Sequence, residues 1–296
     1  MKRLQKFILS VFLVCIGAST SGHAQGVTQN LIAWFKADAG VTVDGSGSNV
    51  VRWADQSGNA NDGTQLPSTA YLQPTLVSNA LNGHPVLRFE GIPAVSNDYL
   101  ELTNAPLNLT SGLSIFVLGR NKTRKDNGLF RIATSSYLGA SNLEIQWRLG
   151  TTDSASGNAQ YAANGVLYPA QYGELDSYDT GPAVGNPYIY DVVAISSGAT
   201  QRVNGVNSQF VYPSPNITNF LPTVANNAFI GVGNGNMFLN GDIAEMLIYN
   251  TALTPQQREN VWAYLEGNYS LGIPEPSTMA LLGLGGVALL CHRRRG

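Results

Sequence analysis

Between residues 31 and 249 the apolar residues come in short runs, closed off by Gly, Asn, Asp or Pro. Examples are the stretches 31–35, 85–89, 113–118, 143–149, 189–194 and 228–232. Residues 143–149, Leu-Glu-Ile-Gln-Trp-Arg-Leu, alternate apolar and polar as a half-buried strand requires. A chain built this way expects an all-β sandwich rather than an α/β fold. No Pro- or Ser-rich linker divides residues 25–272 and no internal repeat is visible, so one sandwich domain is expected there.

One segment has a different period. Thr254 suits an N-cap, Pro255 the first helical position, and Gln257 completes a capping box. Val261, Trp262, Leu265 and Tyr269 then recur at helical spacing, and Gly272 stands near the stop. This helix is expected to lie on the edge or back of the sandwich.

The rare residues exclude several chemistries. Cys15 and His23 lie near the N-terminus, Cys291 and His292 near the C-terminus, and His84 is the one Cys or His between them. A disulfide framework, a Cys-based zinc site, a Cys nucleophile and a multi-His metal site are therefore excluded from the central region. A Ser-His-Asp triad has only His84, in the turn-like Asn82-Gly83-His84-Pro85. The formal net charge of −2 gives no basic excess, so nucleic acid is not an expected partner.

The two ends read as addresses. Lys2, Arg3 and Lys6 precede an apolar run from Phe7 to Ala18, and Gly22-His23-Ala24 forms a small-x-small cleavage site. Residues 1–24 are thus expected to be a signal helix removed between Ala24 and Gln25. At the other end Pro274-Glu275-Pro276 is followed by an apolar run from Thr278 to Leu290 and then by Arg293, Arg294 and Arg295. As a helix that run spans roughly 20 Å, short of a hydrocarbon core of about 30 Å, and the arginines would hold its end in the cytoplasm. Residues 273–296 resemble the PEP-CTERM sorting signal. That resemblance implies a Gram-negative-type bacterium and transient inner-membrane anchoring by a short transmembrane helix. It further implies cleavage near the PEP motif by an exosortase, then delivery to the cell surface or extracellular matrix. The alternative is a tail-anchored chain that is never processed. Proteins with this tail are often linked to exopolysaccharide production. Three of the 17 Lys and Arg lie in the leader and three in the tail, while all 19 Asp and Glu fall between residues 25 and 275, so the exported part is distinctly acidic.

The body carries a second resemblance. Gly241-Asp242-Ile243-Ala244-Glu245-Met246-Leu247-Ile248-Tyr249, then Ala252-Leu253-Thr254 and the helix, resemble the end of a LamG-like domain. Trp53-Ala54-Asp55-Gln56-Ser57-Gly58-Asn59 and Val203-Asn204-Gly205 match the family's earlier motifs. The resemblance implies a concanavalin A-like jelly roll of two antiparallel sheets, a fold shared by lectins, adhesins and hydrolases.

Several constellations are candidates for function. Asp55, Asn59, Asn61 and Asp62 form an oxygen-rich, Gly-containing loop that suits Ca²⁺ as the one candidate cofactor, with a plain structural turn as the alternative. Glu174 and Asp176 alternate onto one side of a strand, as the nucleophile and acid of a retaining glycosidase would. The third carboxylate of such a site has only Tyr178 or Asp179 in its place, and Gly173 and Gly181-Pro182 make the segment resemble a loop. Tyr161, Tyr168, Tyr172, Tyr178, Tyr188 and Tyr190, among polar neighbours, suit a surface that stacks on sugar rings, with a loop whose tyrosines pack on the sandwich rim as the alternative. Glu245 is expected inward with Ile243 and Leu247, in a structural role and with Arg88 or Arg148 as a partner. Arg120, Lys122, Arg124 and Lys125 read as a solvated hairpin tip with a capacity for anionic polysaccharide. Trp34, Trp53 and Trp147 are expected in the core. The functional expectation is non-catalytic binding of polysaccharide or another envelope component. The alternatives are a glycoside hydrolase or lyase using Glu174 and Asp176, and a purely structural matrix protein.

Overall fold

Two Asn-Gly pairs set much of the register. Asn82-Gly83 and Asn204-Gly205 all have positive φ, the conformation a two-residue hairpin turn demands and that Asn and Gly tolerate. The computed structural model describes residues 28–65, 72–92, 96–104, 107, 109, 111–123, 127–133, 145–149, 159–163, 174–177, 184–207, 221, 227–233 and 238–272. The expected signal helix, the PEP motif and the C-terminal apolar helix lie outside them. So do Ala24, Gln25, Pro274, Glu275, Pro276, Arg293, Arg294 and Arg295. No described helix is long and apolar enough to cross a membrane.

In chain order the strands are β1 (Leu31–Lys36), β2 (Val41–Val43), β3 (Val50–Trp53), β4 (Gly63–Thr64), β5 (Thr75–Leu81) and β6 (His84–Ile92). Next come β7 (Ser96–Asn97), β8 (Leu100–Leu102), β9 (Leu113–Asn121), β10 (Asn127–Ala133), β11 (Ile145–Leu149) and β12 (Ala159–Ala163). The rest are β13 (Glu174–Ser177), β14 (Pro187–Ile195), β15 (Gly198–Val203), β16 (Val206–Asn207), β17 (Asn227–Ile230) and β18 (Asn240–Tyr249), before helix α1 (Pro255–Tyr269). They form two antiparallel sheets. The first runs β16-β15-β14-β9-β18-β6-β5, with β1 also on β18. The second runs β13-β12-β11-β10-β17-β8-β4-β3-β2. The chain is therefore a β-sandwich, as the short punctuated runs require.

Between the sheets, Leu87, Phe89, Ile115, Val117, Met246 and Ile248 meet Trp53, Leu100, Phe130, Ile132 and Ile230 in one core. The opposite face of the first sheet is also buried. There Val86, Phe116, Leu118, Leu247 and Tyr249 pack against Val261, Trp262 and Leu265 of α1. This explains why β9 and β18 are buried along nearly their whole length instead of at every second residue: each is covered on both faces. Trp53 is core as expected, whereas Trp34 is half-buried. The side chain of Trp147 lies outside the description.

Helix α1 starts as its sequence requires. Gln257 N donates to Thr254 Oγ1 and Thr254 N donates back to Gln257 Oε1. Ser270 ends it in the left-handed conformation. The Asn82 side chain, carried on the β5–β6 turn, donates to the carbonyls of Tyr269 and Ser270. A hairpin thus caps the helix terminus, where carbonyls lack intrahelical partners.

Candidate functional site

The Asp55 loop is knitted together by its own polar atoms. Asp55 Oδ1 accepts from the backbone N of Trp34 and of Ser57, both at 2.8 Å, and Oδ2 accepts from Ser57 Oγ and Asn61 N. Asp62 Oδ1 accepts from Asp55 N, and Oδ2 takes the Arg52 guanidinium. The side-chain amides of Asn59 and Asn61 donate to the carbonyls of Leu31 and Ile32. The loop therefore fastens β1, in one sheet, to the segment following β3 in the other. Among the described residues no group of three or more His, Cys, Asp or Glu could hold a metal ion.

The tyrosine and carboxylate set is divided by strand alternation. Glu174 and Asp176 lie on β13, an edge strand, where the sequence suggested a loop. Glu174 pairs with Ala162 and Asp176 with Gln160, so they stand two residues apart on one side of the strand. Through Gln146, the register row of Glu174 reaches Arg131, Phe229 and Glu101. Arg131 and Phe229 alternate with core residues Phe130, Ile132 and Ile230, so this row faces away from the first sheet. Tyr161 pairs instead with Trp147 and Leu175, in the row of Phe130 and Ile230. It is thus on the other side of the alternation from the two carboxylates. Tyr168, Tyr172 and Tyr178 lie outside the described residues, and Tyr188 and Tyr190 are not on a surface at all: β14 carries both into the inter-sheet core, completely buried.

On the outward row Arg131 is completely buried, and Phe229 packs with Leu72, Tyr99, Val232 and Phe238. Tyr99 meets Phe229 edge-on at 6.1 Å. Glu101 continues the row, and desolvation raises its carboxyl above the usual glutamate value.

Glu245 is fully buried, but the details differ from expectation. A bulge in β18 between Ile243 and Glu245 breaks the alternation. Ile243 joins the inter-sheet core, while Leu247 joins the cluster beneath α1. Glu245 Oε1 accepts from Trp34 Nε1 at 2.6 Å and from the Tyr264 hydroxyl at 2.9 Å, and Tyr269 also bonds the carboxylate. Its described partners are aromatic donors; Arg88, one of the two expected partners, pairs with Asp242 instead, and the side chain of Arg148 lies outside the description. Burial outweighs them and raises the carboxyl above the usual range.

Sequence reasoning missed two clusters on the helix side of the first sheet. Asp242 is completely buried and accepts from both Arg88 and Arg120. Arg120 is therefore an ion-pair partner inside β9 and not part of a hairpin tip. Asp191, also completely buried, meets Arg202 from β15 and Arg258 from α1. A signal was present: an Asp inside an apolar run such as Ile189–Ala194 needs a partner, and Arg258 sits one helical turn before Trp262 and one position after the capping-box Gln257.

No curated protein matches the chain by sequence. Among solved structures, the chain is similar to domain 4 of AbnA, a GH43 extracellular arabinanase from Geobacillus stearothermophilus, in complex with arabinotriose. Identity is 17%, coverage 77% of this chain and 96% of that domain, and the TM-score 0.50. It is also similar to a GH54 α-L-arabinofuranosidase soaked with 4-nitrophenyl α-L-arabinofuranoside, at 13% identity, 79% and 62% coverage and a TM-score of 0.52. These likenesses concern the fold. Residues 272–295 match the PEP-CTERM protein-sorting motif, so the chain carries an address for exosortase-processed export to the cell surface or beyond.

Proposed function

We propose that the exported chain is a non-catalytic carbohydrate-binding protein of the cell surface or extracellular matrix. In this reading residues 1–24 are removed by signal peptidase and residues 25–272 form one LamG-like, concanavalin A-like jelly roll. The tail from 273 onward anchors the chain briefly in the inner membrane of a Gram-negative-type cell until an exosortase cleaves it. One observation carries the binding assignment: the sandwich covers nearly the whole of an arabinanase domain found with arabinotriose. The described buried carboxylates support a passive role, because Asp191, Asp242 and Glu245 each already accept from Arg or aromatic donors. Such groups are held in place by their partners and are poorly suited to pass protons.

A second reading, a glycoside hydrolase, is favoured by one feature: Glu174 and Asp176 stand two residues apart on β13. A structural matrix protein with no ligand is the third. A glycan array with the full-length protein, with and without EDTA, separates them. Enrichment of an oligosaccharide without its cleavage supports the binding reading, and loss of signal in EDTA brings Ca²⁺ into the site. Released reducing ends that vanish in Glu174→Gln would establish the hydrolase. Enrichment of no glycan would overturn both.

A further inference from the structure

Asp191 on β14 stands opposite Arg202 on β15, and Arg202 stands opposite Asn207 on β16. Arg258, at the start of α1, reaches the same carboxylate from above. Two guanidinium groups thus share one buried carboxylate, leaving a unit of positive charge. Glu259 meets that charge through Arg202 Nη1, but its side chain is 40% exposed. The other terminal nitrogen of Arg202, Nη2, is buried and has no hydrogen-bond partner among the described residues. Leaving a buried charged donor unbonded is costly, so this donor is poised for an acceptor.

Arg202 and Arg258 also line a cavity of about 600 Å³. Thr200 and Asn207 add a hydroxyl and an amide to its wall, and Leu253 and Pro255 add an apolar patch. The volume lies within the range of small-molecule sites. A guanidinium presents two parallel donors that match both oxygens of one carboxylate. Glu259, bonded to one donor only, marks where such a carboxylate would sit.

The geometry points to this cavity as a binding site for a carboxylate-bearing sugar, a uronate unit of an acidic polysaccharide, with Glu259 as a displaceable stand-in. The uronate carboxylate takes Arg202 Nη1 and Nη2 together, and Glu259 swings into solvent. The hydroxyl and amide of Thr200 and Asn207 serve the sugar hydroxyls, and Leu253 and Pro255 face its C–H surface. A peptide carboxylate would meet the fork but has no hydroxyls for this rim. The site lies on the other sheet from Glu174 and Asp176, so it stands or falls independently of binding there.

The test is calorimetric titration of the full-length protein in mild detergent with trigalacturonate, its neutral methyl ester, and a tetra-aspartate peptide. Glu259→Ala is expected to bind trigalacturonate at least tenfold more tightly than the parent chain, because the internal competitor is gone. The methyl ester is expected to show no such gain, and Arg202→Lys, which keeps charge but loses the fork, to bind at least tenfold more weakly than the parent. A melting curve on each variant separates loss of the site from loss of the fold. Unchanged or absent binding in a folded Glu259→Ala variant would overturn the proposal. Equal binding of the methyl ester would overturn the carboxylate, and equal binding of tetra-aspartate would overturn the sugar.

Discussion

Asp242 and Asp191 occupy parallel situations with different outcomes. Both are completely buried on the helix side of the first sheet, and each meets two arginines. At Asp242 the arginine side chains, Arg88 and Arg120, are about a quarter exposed, 26% and 25%, so water shares their remaining donors. At Asp191 they are 6% and 10% exposed, for Arg202 and Arg258, because α1 lies over that end of the sheet. Water therefore cannot finish the bonding, and one donor is left unmade beside a cavity. The lesson is that an identical charge pattern is a closed structural tie where solvent reaches it and an open binding opportunity where a helix excludes solvent.

The comparison can be broken most decisively at its more buried member. Asp191→Ala leaves Arg258 without its carboxylate and Arg202 with only the partly exposed Glu259, and a loss of about 3–5 kcal/mol is expected in urea unfolding. Asp242→Ala leaves arginines that water can rescue, so about 1–3 kcal/mol is expected by the same measurement. Equal losses would mean that the covering helix does not distinguish the two. Thr254→Ala removes the cap that starts α1 and positions Arg258, at about 1 kcal/mol. Hydrogen exchange should show that loss as earlier opening of the first helical turn.

The smallest effect at acid pH belongs to Glu245→Gln, and it separates charge from packing under the same helix. Burial raises the Glu245 carboxyl in the folded state. The native chain thus binds that proton more tightly than the unfolded chain. Its contribution is fully present below the ordinary glutamate value and is lost as pH rises through the raised one. Thermal melts across pH should show a shallower decline with rising pH in the variant. The slope that persists belongs to Asp191 and Glu101, whose carboxyls desolvation also raises. An unchanged slope would remove Glu245 from the account.

Much of the architecture was legible because its causes are local. The Asn-Gly turns, the capping box and the spacing of Val261, Trp262, Leu265 and Tyr269 act within a few residues, and each stands as read. Glu245 was legible as buried, but its partners were not. One extra residue at the β18 bulge changes which neighbours share its face, and strict alternation carries no sign of that. Tyr161, grouped with Glu174 and Asp176 by proximity in sequence, falls in a different register row from either of them, which proximity alone does not show.

By itself the sequence determined the sorting address at the C-terminal end, the mostly β class and the start of α1. These rest on composition, periodicity and short-range hydrogen bonding. Only the tertiary structure decided which charges meet. Arg88 and Asp242 are 154 residues apart, and Arg258 and Asp191 are 67 apart. Pairings at such separations follow from strand order and from where α1 lies, not from any local pattern. The physical reason is that a buried charge requires a partner but leaves that partner's position in the chain unspecified, until the sheets fold and exclude water from all but one arrangement.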